Sequence, residues 1–169
     1  HFQSIYPALF RKIKDISYRR ERIATPDHDF LDLDWADQVT PLPAKGLVIL
    51  SHGLEGNSTR QYILGMVRLL VAQGYHCLAW NFRSCSGELN RHSGATDDLD
   101  LVIRHALQKG YTELHLMGFS LGGNLTLKYL GEGWASDGAI RKAVVFSVPM
   151  DLLACSRAIE APHNTLYLQ

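Results

Sequence analysis

No sign of charge predominates in this chain. Its 17 lysines and arginines are matched by 17 aspartates and glutamates, for a formal net charge of zero. Nothing in that balance advertises a nucleic acid or an anionic membrane as partner. No apolar run approaches the length of a membrane span, so membrane association is not indicated by this stretch, and no secretory leader is visible. The chain opens on His1, not Met, so an upstream anchor or targeting segment stays open. Cysteine is scarce: Cys77, Cys85 and Cys155 form no C-x-x-C pair and leave one over in any disulfide scheme. Free thiols in a reducing, cytoplasmic compartment are the simplest expectation. The eight histidines carry no H-x-x-x-H or similar spacing, so no metal is expected. Internal repeats and low-complexity tracts are also absent.

What is present is an ordinary globular composition, 46% hydrophobic and 20% charged, which argues against disorder. At 169 residues the chain is long enough for one domain with a full core. The stretch that organises it is Gly118-Phe119-Ser120-Leu121-Gly122. A strand-like run, Leu114-His115-Leu116-Met117, precedes it, and a helix-like run over residues 124–130 follows. Gly-x-Ser-x-Gly between strand and helix is the pattern of a nucleophile elbow, a sharp turn that lifts a serine hydroxyl out of a sheet. The turn needs small residues two before and two after the serine; Gly118 and Gly122 supply them, and Gly123 lets the helix approach the sheet closely. The bland alternative is a Gly/Ser-rich turn without chemistry.

The remaining elements read in order. Residues 1–20 are a short helix or arm of unknown role. Residues 20–25 and 29–35 look like two strands joined by Pro26-Asp27-His28, a β-hairpin, and Pro41, Pro43 and Gly46 mark a loop. Residues 46–51 form a continuous apolar run, as expected for a strand buried on both faces. It leads into His52-Gly53-Leu54-Glu55-Gly56. A helix follows, with Ser58 or Thr59 as N-cap, the stripe Ile63, Met66, Val67, Leu70 and Val71, and Gly74 at its end. Residues 75–82 are the next strand and 83–87 a loop. Thr96 with Asp97 and Asp98 opens a helix with a buried stripe of Leu99, Val102, Ile103 and Ala106, closed by Gly110. Residues 142–148 are the last strand. Alternating strands and helices predict an α/β fold, a mostly parallel sheet with helices on both faces.

A serine nucleophile needs a base, an acid to orient the base, and donors for the oxyanion. One donor is the backbone N–H of the residue after the serine, Leu121. The second comes from the loop after the earlier buried strand, where the N–H of Leu54 is favoured and small Gly53 admits the reacting carbonyl. His52 is expected to brace this loop through its ring nitrogens and not to serve as the base. Serine hydrolases of this type run Ser, then Asp or Glu, then His. After Ser120 the one histidine is His163, with no strand before it to hold it, and Asp151 is expected to start an excursion after the last strand. The chain therefore holds nucleophile and oxyanion loop, without base or acid. Cys85 and Cys155 are expected to be packing residues, and Arg60, Arg83 and Arg91, near the presumed mouth, solvated surface charges.

Taken together, His52-Gly53-Leu54-Glu55-Gly56, Asn81-Phe82-Arg83-Ser84-Cys85-Ser86-Gly87-Glu88, His92-Ser93-Gly94 and the elbow through Asn124 resemble the YheT-like α/β-hydrolases. The hairpin and Ala154-Cys155-Ser156 fit the same group. The resemblance implies an α/β-hydrolase fold and a serine esterase or acyltransferase acting on small-molecule acyl esters, lipid-like ones in some members, with no cofactor. It also implies a division into an arm and hairpin (1–45), a core with the elbow (46–150) and the start of a lid (151–169). Such relatives continue past the position of Gln169 through a lid and further strands, and there the resemblance places acid and histidine. Asn90-Arg91 also runs into His92 sooner than in relatives. Both departures suggest a fragment, and a non-catalytic binding domain of hydrolase ancestry remains the alternative.

Overall fold

The computed structural model describes residues 13, 15–37, 45–83, 96–134 and 138–159. Among these residues six strands form one sheet in the order β1-β2-β4-β3-β5-β6. They are β1 (Arg19–Ala24), β2 (Phe30–Ala36), β3 (Leu47–Ser51), β4 (His76–Asn81), β5 (Leu114–Phe119) and β6 (Ile140–Phe146). Among the described residues the helices are α1 (Gln61–Ala72), α2 (Thr96–Gln108), α3 (Leu121–Gly131) and α4 (Leu152–Ile159). β1 and β2 form the expected hairpin, and β2 joins β4 antiparallel. The pairs β4–β3, β3–β5 and β5–β6 are parallel.

The apolar run of β3 is explained by burial on two sides. Leu47 and Ile49 face a core closed by Leu99, Val102, Ile103 and Ala106 of α2 and by Leu125 and Tyr129 of α3. Val48 and Leu50 face a second core closed by Ile63 and Val67 of α1. Side chains alternate along a strand, so a central strand between two helical layers is apolar on both faces, and β3 is so from Leu47 to Leu50 with Ser51 at its end. β2 lies nearer the edge and alternates instead: Leu31, Leu33 and Trp35 enter the first core, while Asp32 and Asp34 face the other way.

Two boundaries differ from the sequence expectation. α1 starts at Gln61, and neither Ser58 nor Thr59 caps it; the N-cap is Arg60, without a side-chain cap bond. The Ser58 hydroxyl donates instead to Asp34 Oδ2 at 2.5 Å, while the Thr59 N–H donates to Asn57 Oδ1 at 3.0 Å. A distant carboxylate has outcompeted the local cap. The last strand spans Ile140–Phe146 and not 142–148, because pairing with β5 begins at Leu114 opposite Ile140 and Ser147 leaves the strand with φ of 52°. Residues 1–12, the loop containing Cys85, Arg91 and His92, and the stretch with His163 lie outside the described residues.

Candidate active site

β3 and β5 are neighbours that end side by side, Ser51 opposite Gly118. In an open parallel sheet this carboxyl end is where ligands bind. Here β3 runs into the His52 loop and β5 into Ser120.

Ser120 has φ 52° and ψ −117°, a strained conformation for a residue with a side chain. Its backbone N–H donates to the Phe146 carbonyl of β6 at 2.9 Å, and its carbonyl accepts from the N–H groups of Gly123 and Asn124 at 2.9 and 3.0 Å. Those bonds hold the strain. Although Ser120 stands at the N-cap of α3, its hydroxyl makes no capping bond, and the residue is exposed. The flanking glycines are forced by contact. A Cβ on Gly118 would lie 2.5 Å from the Gly122 carbonyl oxygen, and one on Gly122 would lie 2.4 Å from the carbonyl oxygens of both Ser51 and His52. Gly122 thus lets α3 press against the loop that follows β3.

That loop is held by side chains. The buried His52 Nδ1–H donates to the Gly53 carbonyl at 2.7 Å, and His52 Nε2 accepts the Phe82 N–H at 3.2 Å. These partners define the neutral tautomer with the proton on Nδ1. Burial disfavours the imidazolium and lowers the His52 pKa below the ordinary histidine value. Both ring nitrogens are engaged, one by the loop and one by the residue after β4, so the ring is not presented to the serine. Gly53 sits against Ser120: a Cβ there would lie 3.2 Å from Ser120 Cβ. A pocket of about 320 Å³ opens between loop and elbow, lined by Gly53, Leu54, Tyr62, Phe119, Ser120, Phe146 and Ser147. The rings of Phe119 and Phe146 stack with centroids 4.9 Å apart, and Tyr62 meets Phe119 at 5.0 Å.

Among the described residues lining this pocket there is no histidine and no carboxylate. Asp151 is exposed and caps α4, accepting the Ala154 N–H at 2.9 Å. Cys77 is buried at the helix-covered face of β4, and burial pushes its thiol up to about 12, which leaves it inert. No group of three or more described His, Cys, Asp or Glu side chains could hold a metal ion.

The expectation for Arg83 is corrected. Its side chain is only 11% exposed and clamps Asp98 Oδ1, with Asp27 as a second partner. A carboxylate at the first turn of α2 and another in the hairpin turn draw the guanidinium inward. Arg60 is exposed, as read, and donates to the Glu55 carbonyl at 2.7 Å.

Sequence reading missed one supporting network. Asp34 accepts from Arg20 Nε and Nη2, both at 2.8 Å, from Ser58 Oγ, and from Asn81 Nδ2 at 3.0 Å. Burial alone would raise this carboxyl, but the hydrogen bonds from Arg20, Ser58 and Asn81 outweigh it and hold it below the usual range. Asn81 Oδ1 in turn accepts the Ser58 N–H at 3.0 Å. The far end of the His52 loop is thereby tied to the hairpin. The signal was the pair Asp32 and Asp34 opposite Arg22 and Arg20, visible only once register is known.

A strained serine at the tip of a parallel strand, beside a braced glycine loop, defines the α/β-hydrolase class. Residues 43–163 match the family described as serine aminopeptidase, S33, and the chain belongs to it. It is 33% identical over 173 residues to the putative esterase YheT of Escherichia coli, covering 99% of this chain and 51% of that protein. It is 35% identical over 163 residues to the mouse phospholipase ABHD3, covering 89% of this chain and 39% of that one. The chain thus spans about half or less of these relatives. Among solved structures, the fold matches an esterase of Pyrococcus furiosus with TM-score 0.64 at 23% identity, over 88% of this chain and 58% of that one. An α/β serine hydrolase homologue of Coxiella burnetii matches with TM-score 0.65 at 17% identity, over 83% and 67%. Among the described residues no helix is long and apolar enough to cross a membrane.

Proposed function

We propose that this chain supplies the nucleophile and oxyanion half of a serine hydrolase that cleaves carboxylic esters. The observation that carries the reading is Ser120 at φ 52°, its hydroxyl outside any capping bond, on a pocket floor shared with Gly53 and Leu54. Ser120 Oγ attacks the acyl carbon while its proton passes to a general base. The N–H groups of Leu54 and Leu121 hold the resulting oxyanion. Collapse expels the alcohol, whose oxygen takes that proton from the base, and leaves an acyl-serine. Water then gives a proton to the same base as it attacks, and the proton returns to Ser120 Oγ as the acid leaves. His52, Gly53, Gly118 and Gly122 support the geometry without touching the reacting atoms. The base and its acid are assigned to residues beyond Gln169, which the partial span of the relatives supports.

The lining of Leu54, Tyr62, Phe119 and Phe146 is apolar and suits a lipid-like acyl chain. Relatives named phospholipase and monoacylglycerol lipase support that substrate class. Residues 151–169 are read as the start of a cover over the pocket, with Met150, Leu152 and Leu153 exposed at its base. The free thiols of Cys77 and Cys155 support a reducing, cytoplasmic setting. Labelling of the whole protein with a fluorophosphonate, followed by peptide mapping, tests the reading. Modification of Ser120 is expected, and a whole protein that takes no label overturns it. Acyl transfer to an alcohol would use the same groups and differ in the acceptor of the second step.

A further inference from the structure

The loop after β3 has to present one N–H in one direction, yet it contains Gly53 and Gly56, the residues least able to hold a direction by themselves. Two peptide planes meet at Gly53. The plane formed by the Gly53 carbonyl and the Leu54 N–H is held on its carbonyl side by His52 Nδ1–H at 2.7 Å and by the Gly56 N–H at 3.0 Å. In a trans peptide the N–H points opposite to the C=O, so these bonds turn the Leu54 N–H away from the buried imidazole. The other plane, between His52 and Gly53, is held by Tyr62, whose hydroxyl oxygen accepts the Gly53 N–H at 3.0 Å.

Tyr62 reaches this point from the first turn of α1, with its ring against Phe119, the residue before the nucleophile. The hydroxyl sits where the loop has made room for it. A Cβ on Gly56 would lie 2.8 Å from Tyr62 Oη, 2.9 Å from the Gly53 carbonyl oxygen and 3.0 Å from His52 Nδ1. Glycine at position 56 therefore admits the tyrosine hydroxyl and the histidine bond together.

We propose that Tyr62 is a positioning residue for the oxyanion loop: its hydroxyl fixes the His52–Gly53 peptide, and through it the direction of the Leu54 N–H. The inference rests on the ester-hydrolase reading above. Because the oxyanion forms only as the reaction proceeds, loss of the hydroxyl weakens the transition state and leaves substrate binding nearly untouched.

The test is Tyr62→Phe in the whole protein, which keeps the ring against Phe119 and removes the hydroxyl that accepts the Gly53 N–H. With p-nitrophenyl butyrate, kcat is expected to fall about tenfold while KM stays within about twofold. The rate of fluorophosphonate labelling of Ser120 is expected to fall by a similar factor, since phosphonylation charges the same oxygen position. The thermal midpoint should move by less than about 4 °C. A variant that turns over and labels at the wild-type rate overturns the proposal. So does a loss carried by KM at unchanged kcat, which would make Tyr62 a pocket wall, and so does a midpoint that falls further, which would make it a structural residue. Wild-type protein that fails to label removes the hydrolase reading itself, and this result is separable because it precedes any comparison with the variant.

Discussion

The two turns that meet at Ser120 solve one problem by different means. The turn after β5 is held by exclusion: Gly118 and Gly122 are small because backbone atoms lie 2.4–2.5 Å from where their Cβ atoms would be. The turn after β3 is held by attraction: His52, Tyr62, Ser58 and, behind them, Asp34 and Asn81 pin the loop with hydrogen bonds. Exclusion leaves a compact signature in the sequence, two glycines flanking the serine, although the atoms that exclude a Cβ at Gly122 come from the end of β3 and the His52 loop. Attraction draws on partners from β2, β4 and α1, and its signature is scattered.

The comparison can be broken most sharply at Ser120. Ser120→Ala is expected to reduce ester turnover by the whole protein roughly 10⁴-fold or more, at nearly unchanged stability. Ser120→Gly should abolish turnover equally but raise stability by about 1 kcal/mol, because glycine tolerates the positive φ. Denaturant titration of the two variants separates chemistry from strain, and equal stabilities would show that the elbow stores none.

Next in size is Gly122→Ala. The added methyl collides with the Ser51 and His52 carbonyls, and a loss of about 3 kcal/mol is expected, measured as a lower denaturation midpoint. A neutral result would mean that the two turns can part without cost.

On the attractive side, Asp34→Ala should cost about 2 kcal/mol, since it leaves Ser58 and Asn81 short of a partner in a buried setting. Arg20→Ala should cost less, about 1 kcal/mol, because the guanidinium is 56% exposed, water fills the space it leaves, and Ser58 and Asn81 still donate to Asp34. Equal losses would show that the ion pair, and not the buried hydrogen bonds, anchors the loop.

The smallest effect is a pH dependence. His52 titrates below the ordinary histidine value when folded, so between that lowered value and about pH 6.5 the unfolded chain binds the extra proton. Stability is therefore complete above about pH 6.5 and declines as pH falls through that window. Protonation would also set a donor at Nε2 against the Phe82 N–H. Comparing the stability of wild type and His52→Asn at pH 7.5 and 5.5 checks this: the variant should show the flatter profile, and parallel profiles would exclude His52 as the group responsible.

Much of the fold is legible from one-dimensional pattern. The hairpin, the doubly buried β3, the stripes of α1 and α2 and the elbow each leave a periodicity or a glycine where geometry demands one. The α1 cap was misread because Ser58 has two possible partners, and the stronger, Asp34, lies on another strand. Arg83 was misread as solvated for the same reason: its partners Asp98 and Asp27 stand on α2 and in the hairpin turn.

Sequence order was thus enough for the strands, the helices and the strained turn at Ser120, since each leaves a pattern of burial or of glycine within a few residues. Which side chains hold the His52 loop was settled in three dimensions. Strand order β2-β4-β3-β5 places Asp34, Asn81, the His52 loop and Ser120 in succession across the carboxyl end of the parallel strands, and no spacing along the chain encodes that adjacency.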